Sequence, residues 1–288
     1  MRKVYSSDRG SSAEELMQAW ADRVAANREQ AERVREEPAS GDHYRPLASA
    51  FRADPRRIGD SALEALLAVA SMGDTWVDVG AGAGRLALPL ALHVKHVIAI
   101  EPSQAMRAEL ANMQIEHGVT NVEIRNQRWP SDDAAITDMA DVALISHVGY
   151  DVEQIGPFLD TVERAAAREC VALQFDYSPQ SLFQQVWPVI HGEEQAHLPG
   201  AVEFIELLQA RGADVETNEV EQDAERQRFV FDSPDRAMDW ARRQLWLADD
   251  SDKLPLLHEA VTELLTKGDG GWTPPDRPKQ MLIRWRTR

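Results

Sequence analysis

Three glycines on alternate positions, in the run Val77-Asp78-Val79-Gly80-Ala81-Gly82-Ala83-Gly84-Arg85, constrain the fold of this chain more than any other feature. The residues before them are apolar except for Asp78, which is typical of a buried strand, and the residues after them are typical of a helix. Because glycine has no Cβ, the backbone can turn sharply between the two elements and a ligand can lie against it. The run therefore predicts a strand, a tight turn and a helix that together cradle a nucleotide-type cofactor.

Short apolar strands alternate with helices along the middle of the chain, a pattern that predicts a doubly wound α/β sheet whose parallel strands are joined by helical crossovers. The predicted strands are Thr75–Val79, His96–Ile100, Val122–Ile124, Val142–Ser146, Cys170–Phe175, Ala213–Val220 and Met281–Trp285. Helices are predicted from Arg85, from Ser103, from about Val152, from Gly200 to Gly212, and around Ala237–Leu247 and Leu254–Lys267.

The pattern divides the chain into three parts. We expect residues 1–53 to form an N-terminal helical extension, whose helix begins at capping residues Ser11 and Ser12 and is stopped by Pro38. Residues 54–177 are expected to form a Rossmann-like cofactor-binding core. Residues 178–288 are expected to provide helices on the substrate side and the last two strands of the same sheet.

Composition excludes several classes of protein. Lys and Arg number 31 against 48 Asp and Glu, and a net charge of -17 repels a phosphate backbone, so we expect no nucleic-acid partner. Cys170 is the only cysteine, which rules out a disulfide within the chain. The first residues lack the apolar core of a signal peptide and no apolar run is long enough to span a bilayer, so a cytoplasmic protein without membrane contact is expected. No His, Cys, Asp and Glu residues have metal-ligand spacing, and the oligomeric state is left open.

The glycine spacing indicates which cofactor is bound. A dinucleotide fingerprint would place its third glycine at position 85, where the chain has Arg85, and the pattern from Asp78 is instead acid-x-G-x-G-x-G. This pattern resembles the class I S-adenosylmethionine (SAM)-dependent methyltransferases. The resemblance implies a seven-stranded sheet, SAM as cofactor, contacts from Gly80, Ala81, Gly82 and Gly84 to its methionine part, and Asp78 placing its amino group. An NAD-dependent oxidoreductase and a non-catalytic SAM-binding module are the alternatives.

The end of the second predicted strand supports the same resemblance. Glu101 lies about 20 residues after the glycines, where a carboxylate can accept hydrogen bonds from a ribose diol. Glu101-Pro102-Ser103-Gln104-Ala105-Met106 is similar to the acidic strand end and helix start of the family, which implies that Met106 covers the adenine and that Pro102 contacts the cofactor. After the third strand, Arg128 stands where the family often has an aspartate. We therefore expect Gln127, Arg128 and Trp129 to contact the adenine by backbone, side chain and stacking.

The fourth strand and the loop after it, Ser146-His147-Val148-Gly149-Tyr150, face the departing methyl group in the family. The segment lacks the Pro-Pro-aromatic signature of enzymes that methylate base or amide nitrogens, so a small-molecule acceptor is expected, methylated on O, N or C. Ser146 is expected at the cofactor, His147 is the candidate general base and Tyr150 a candidate catalytic residue. Further candidates for the pocket are Asp176, Tyr177, Trp187 and His191, and Tyr5, Trp20 and Tyr44 for a lid formed by the N-terminal extension.

Overall fold

The computed structural model describes residues 11–38, 42, 45, 48–130, 136–221, 229–268 and 270–286. Within these residues, seven strands form one sheet in the order β3-β2-β1-β4-β5-β9-β6. Strands β1 to β5 run parallel, and β9 is antiparallel to both β5 and β6. This arrangement confirms the predicted doubly wound, Rossmann-like sheet, including the two strands that complete it from the C-terminal part of the chain.

The strands are β1 Thr75–Val79, β2 His96–Ile100, β3 Val122–Arg125, β4 Ala140–Ser146, β5 Ala166–Phe175, β6 Val215–Val220, β7 Thr266–Gly268, β8 Gly271–Thr273 and β9 Gln280–Arg286. The helices are α1 Ala13–Val34, α2 Ser61–Leu67, α3 Ala87–Ala91, α4 Gln104–His117, α5 Ile155–Ala165, α6 Trp187–His191, α7 Ala201–Ala210, α8 Pro234–Gln244 and α9 Leu254–Leu264. Short 3-10 helices lie at Ala48–Phe51 and Pro179–Ser181.

Side chains of the central strands alternate between two apolar layers, as the period-2 geometry of a strand requires. In β1, Val77 and Val79 face the layer that contains α1, α5 and α7, and Trp76 faces the layer that contains α2, α3 and α4. The alternation continues in β4 and β5. Because both faces are covered, these strands consist almost entirely of apolar residues.

Strand β5 begins four residues earlier than predicted, at Ala166 rather than Cys170. The early part carries Arg168 and Glu169, whose charges are neutralised by residues distant in sequence. Both guanidinium Nη atoms of Arg168 bind the carboxylate of Asp74, at 2.8 and 2.7 Å. Glu169 accepts from Arg284 of β9 at 2.6 Å. These ion pairs allow charged residues in the first part of β5. The local sequence does not show that part to be a strand, because the partners are distant in sequence.

Several of the segments between β5 and β9, but not α7 or β6, form a separate apolar cluster beyond the end of β5. We call this part, made of α6, α8, α9 and the hairpin β7–β8, the cap. The two helices inserted between the sixth and last strands of the sheet were predicted, whereas the hairpin and α6 were not. Trp187 is buried in the cluster, and His191 Nε2 lies 3.0 Å from the carbonyl of Leu245. These two pocket candidates thus pack within the cap.

The helix of the N-terminal extension belongs to the apolar layer over the sheet. Trp20 is buried, its indole donates to the carbonyl of Val152 at 3.0 Å, and its ring lies against Phe204 of α7. Tyr5 and Tyr44 lie outside the described residues. The indole of Trp20 therefore packs in the core, and a lid role for residues 1–53 stays a prediction.

The described part of the chain has neither a membrane-spanning helix nor a cluster of metal ligands. No helix there combines the length and apolar character that crossing a bilayer requires. In the same residues, no group of three or more His, Cys, Asp and Glu side chains is arranged to hold a metal ion.

Candidate functional site

The predicted site residues meet at one edge of the sheet. Because β1 to β5 are parallel, their carboxyl ends lie side by side, and in open α/β sheets ligands bind beyond those ends. The glycine turn follows β1, Glu101 follows β2, and Gln127 to Trp129 lie just after β3. Ser146 ends β4, and His147 and Tyr150 come directly after it.

The three glycines of the turn differ in their surroundings. All have positive φ, at 80°, 56° and 84° for Gly80, Gly82 and Gly84. A Cβ on Gly80 would lie 2.5 Å from Val148, and one on Gly84 would lie 2.3 Å from Leu110 of α4. A Cβ on Gly82 would meet no atom within 4 Å. Gly80 and Gly84 are thus required by packing within the protein, whereas Gly82 leaves open space beside the backbone.

Glu101 connects the second strand to the glycine turn. Its Oε2 accepts a hydrogen bond from the backbone N–H of Gly82 at 2.9 Å, and its Oε1 accepts from Ser103 at 2.7 Å. The side chain is buried, and this burial raises the pKa of its carboxyl. Each carboxylate oxygen has two lone pairs, so both can still accept from hydroxyl groups of a ligand.

Asp78, the last residue but one of β1, is a buried carboxyl group without a hydrogen bond from any described residue. It is 2% exposed, and its Oδ1 is fully enclosed without a partner. Burial and, to a lesser extent, the nearby charge of Glu101 raise the pKa of Asp78 to about 7. A buried carboxylate in this condition is destabilising unless a cation or a donor compensates it.

Two arginines, Arg57 and Arg85, form hydrogen bonds that hold the glycine turn against the start of α2. Asp60 is the N-cap of α2 and accepts from Arg57 at 2.8 Å and from Arg85 at 2.9 Å. Arg57 also donates to the backbone carbonyl of Arg85 at 2.9 Å. The position of Arg85, directly after the last glycine, is therefore fixed by side chains from α2 and the segment before it.

The residues expected around the adenine differ in exposure. Met106 is buried against Ala48 and Ala83, whereas Pro102 is exposed. Arg128 is exposed and Gln127 half-buried. Trp129 packs partly against the core, and its indole Nε1 is buried without a hydrogen-bond partner. The structure places all of these residues near the carboxyl ends of β2 and β3, and their contact with adenine stays a prediction.

His147 is held on several sides at the end of β4. Its backbone is left-handed, with φ 55°, and its ring stacks on Phe175 at 4.3 Å between centroids. The side-chain amide nitrogen of Gln280 lies 3.0 Å from Nε2, and Tyr150 Oη lies 3.5 Å from Nδ1. An amide nitrogen can only donate, so Nε2 accepts and the imidazole proton is on Nδ1. Tyr150 Oη in turn accepts from the backbone N–H of Phe175 at 2.6 Å.

Gln280, the first residue of β9, is the functional candidate that the sequence reasoning missed. It lies 133 positions from His147 in the chain, and only the antiparallel pairing of β9 with β5 brings the two side chains together. No local motif marks this glutamine. Its neighbour across the sheet, Phe175, was predicted only as the last residue of a strand.

The donor set of this edge fits SAM. An unpartnered buried carboxyl at Asp78 suits an ammonium group, the carboxylate of Glu101 suits a diol, and the open side of Gly82 gives room for a ligand against the backbone. These three features lie next to one another, because Glu101 binds Gly82 and its charge acts on Asp78.

Comparison with known families agrees with this geometry. Residues 77–173 match the family model described as a methyltransferase domain, a range that includes the glycine turn, Glu101 and the end of β4. The match confirms the prediction that the chain contains a class I SAM-dependent methyltransferase domain. The predicted enzyme class and cofactor, a methyltransferase that uses SAM, are confirmed with it.

Solved structures share the fold. The YcgJ protein from Bacillus subtilis aligns with a TM-score of 0.53 at 16% identity, over 80% of this chain and 99% of its own. A provisionally assigned methyltransferase from Bacillus halodurans aligns with a TM-score of 0.53 at 13% identity, over 79% and 98%. At such identities these likenesses show the fold alone. A comparison with curated protein sequences gives no match.

Proposed function

We propose that the chain transfers the methyl group of SAM to a small-molecule acceptor at the edge formed by the ends of β1, β2 and β4. The observation that carries the proposal is Asp78, a buried carboxyl without a partner, beside the open side of Gly82 and the carboxylate of Glu101. Among the described residues none donates a hydrogen bond to this group, and the ammonium group of a bound cofactor would compensate its charge.

Each part of the site has a role in holding the cofactor. Asp78 binds the amino group of the methionine part, and Glu101 accepts from the ribose hydroxyls. The glycine turn lets the ligand approach its backbone at Gly82, and Gly84 keeps the turn packed on α4. The remaining proposed contacts are Gly80, Ala81, Pro102, Met106, Gln127, Arg128, Trp129 and Ser146.

Bound SAM supplies an electrophilic methyl group on a sulfonium, so the protein's main task is to position the acceptor in line with it. His147 is the proposed base for an acceptor that must lose a proton. Its Nε2 is the basic nitrogen and accepts from Gln280, so it takes a substrate proton only if that amide moves away. Tyr150 fixes the opposite side of the ring and is proposed to position His147.

Composition supports a small molecule as acceptor. The net charge of -17 disfavours nucleic acid, and the loop after β4 lacks the residues of base-methylating enzymes. We propose the cytoplasm as the location, in keeping with the single cysteine, which is buried and free.

Titration calorimetry with SAM, S-adenosylhomocysteine (SAH) and NAD tests the cofactor. SAM and SAH are expected to bind and NAD is not. Incubation with SAM and pooled small metabolites, followed by mass spectrometry for SAH and methylated products, then tests catalysis. Binding of NAD without binding of SAM would refute the proposal, and binding of SAM without SAH formation from any acceptor would reduce it to cofactor binding.

A further inference from the structure

A cavity of about 250 Å³ lies between α1, the end of β5 and the start of α7. We call it the α1–β5 cavity, and its walls include Arg23, Asp176, Tyr177, Ser181, His197 and Glu203. None of these residues is assigned to the cofactor. Phe175, the last residue of β5, stacks on His147 and directly precedes Asp176, so the cavity wall is next in sequence to this stacked pair.

The positive charge at the wall of the cavity is already compensated. The guanidinium of Arg23 forms an ion pair with Glu203 and donates to the backbone carbonyls of His197 at 3.2 Å and Leu198 at 3.1 Å. The other carboxylate oxygen of Glu203 accepts from the backbone N–H of Gly200 at 2.9 Å. An anionic ligand would therefore have to compete with Glu203 for Arg23.

Asp176 is different, because only one of its oxygens is engaged. Oδ1 accepts from the backbone N–H groups of Lys279 at 2.8 Å and Tyr177 at 3.0 Å. Within the described part of the chain, Oδ2 accepts no hydrogen bond and the carboxylate forms no ion pair. Asp176 is half-buried, and this burial raises its pKa, although its two backbone hydrogen bonds and the nearby charge of Lys279 act in the opposite direction.

We propose that the α1–β5 cavity binds the methyl acceptor, and that the acceptor is a small molecule with a basic amino group that pairs with Asp176. Tyr177 lines the same cavity, and a carboxylate next to an aromatic residue is a combination that suits an ammonium group. The net charge of -17 attracts cations over longer distances. This inference rests on the proposed function only in identifying the bound amine as the methyl acceptor, since the residues of the cavity are not those assigned to the cofactor.

Three probes of equal skeleton test the chemistry: phenethylamine, 2-phenylethanol and phenylacetate. Each is titrated into the full-length protein by calorimetry, once with saturating SAH and once without it, so that the cavity and the cofactor site are examined separately. Phenethylamine is expected to bind at least about tenfold more tightly than the alcohol, and phenylacetate most weakly. Equal affinity of amine and alcohol would overturn the proposal, whether or not SAH binds.

Two variants locate the binding. Asp176→Asn keeps an oxygen for the N–H groups of Lys279 and Tyr177 but removes the charge, and is expected to weaken amine binding at least about tenfold while SAH affinity is unchanged. Gln184→Trp, at a half-buried wall position, is expected to abolish amine binding by filling the cavity. The matched controls are the exposed Asp214→Asn and Gln185→Trp, which should leave it unchanged. Unaltered amine binding in both Asp176→Asn and Gln184→Trp would place the amine elsewhere and refute the inference.

Discussion

Replacing Asp78 by asparagine is expected to stabilise the cofactor-free protein, and to do so increasingly as the pH rises. Asp78 is 2% exposed, and its Oδ1 has no partner among the described residues, so the folded chain holds its charge at a cost. Asparagine has a similar shape and no charge. The same substitution should weaken SAM binding by about tenfold or more, since a neutral amide does not compensate an ammonium group.

The magnitude follows from the pKa of Asp78, which burial and Glu101 raise from 3.8 to about 7. A carboxyl whose pKa is higher in the folded state stabilises the fold fully below pH 4, and this contribution is lost as the pH rises through about 7. At about 1.36 kcal/mol per pKa unit, the loss is about 2 kcal/mol at pH 5 and about 4 kcal/mol at pH 8. The variant lacks this loss, so its advantage should grow by about 2–3 kcal/mol between the two pH values.

Urea unfolding of both proteins at pH 5, 6, 7 and 8, without cofactor, measures this difference. The unpartnered amide of the asparagine has a cost of its own, but that cost is the same at every pH. The slope with pH is therefore the decisive quantity. Asp214→Asn, at an exposed position before β6, controls for the loss of one acidic residue. A difference in unfolding free energy that is constant from pH 5 to 8, or that shrinks, would refute the reasoning about Asp78.

Three further predictions concern the rest of the site. Gly84→Ala should lower the free energy of unfolding by about 2–4 kcal/mol, because the new Cβ overpacks against Leu110 and the residue has positive φ. Gly82→Ala should lower the free energy of unfolding by only about 1 kcal/mol but weaken SAM binding more than tenfold. Equal changes in stability and in SAM affinity for the two variants would contradict this prediction. Glu101→Gln should raise the Kd for SAM about 10- to 100-fold, measured by calorimetry, and an unchanged Kd would remove the diol contact. His147→Ala should lower kcat and abolish the acidic limb of the profile of kcat against pH, as expected for loss of a general base. Gln280→Leu should shift that limb, because it removes the hydrogen bond to Nε2. An unaltered pH profile in His147→Ala would show that His147 is not the base.

The fold was predictable because its signals are local. Alternating apolar strands and the glycine turn are each contained within a few residues, and β1 and β2 have the predicted bounds. The start of β5 was not predictable, since Arg168 and Glu169 are compensated by Asp74 and Arg284, which lie far away in the sequence. The hairpin β7–β8 was missed because its strands have only three residues each.

The part of the candidate site formed by the residues that follow β1, β2 and β4 was predictable, because sequence motifs mark those residues. The residues that follow β1, β2 and β4 lie in line with their strands, so strand order alone brings them to one edge. Asp176 and Tyr177 were predicted as pocket candidates because they follow β5. Gln280 and the other walls of the α1–β5 cavity come from elements that the sheet topology and the packing of α1 assemble, and no spacing in the sequence records those contacts. The same holds for Arg23, whose partners Glu203 and the carbonyl of Leu198 lie 180 and 175 positions away.

The N-terminal helix illustrates how a segment outside the matched domain can shape the site. Along one face of α1, Arg23, Asn27 and Gln30 donate to backbone carbonyls of the irregular segment that precedes α7, and Gln30 also accepts from the N–H of Ala196 at 2.7 Å. A segment without regular secondary structure must satisfy its backbone groups elsewhere, and here α1 does so. The wall of the α1–β5 cavity therefore depends on a helix that lies before residues 77–173, and the specificity for the acceptor is expected to depend on it as well.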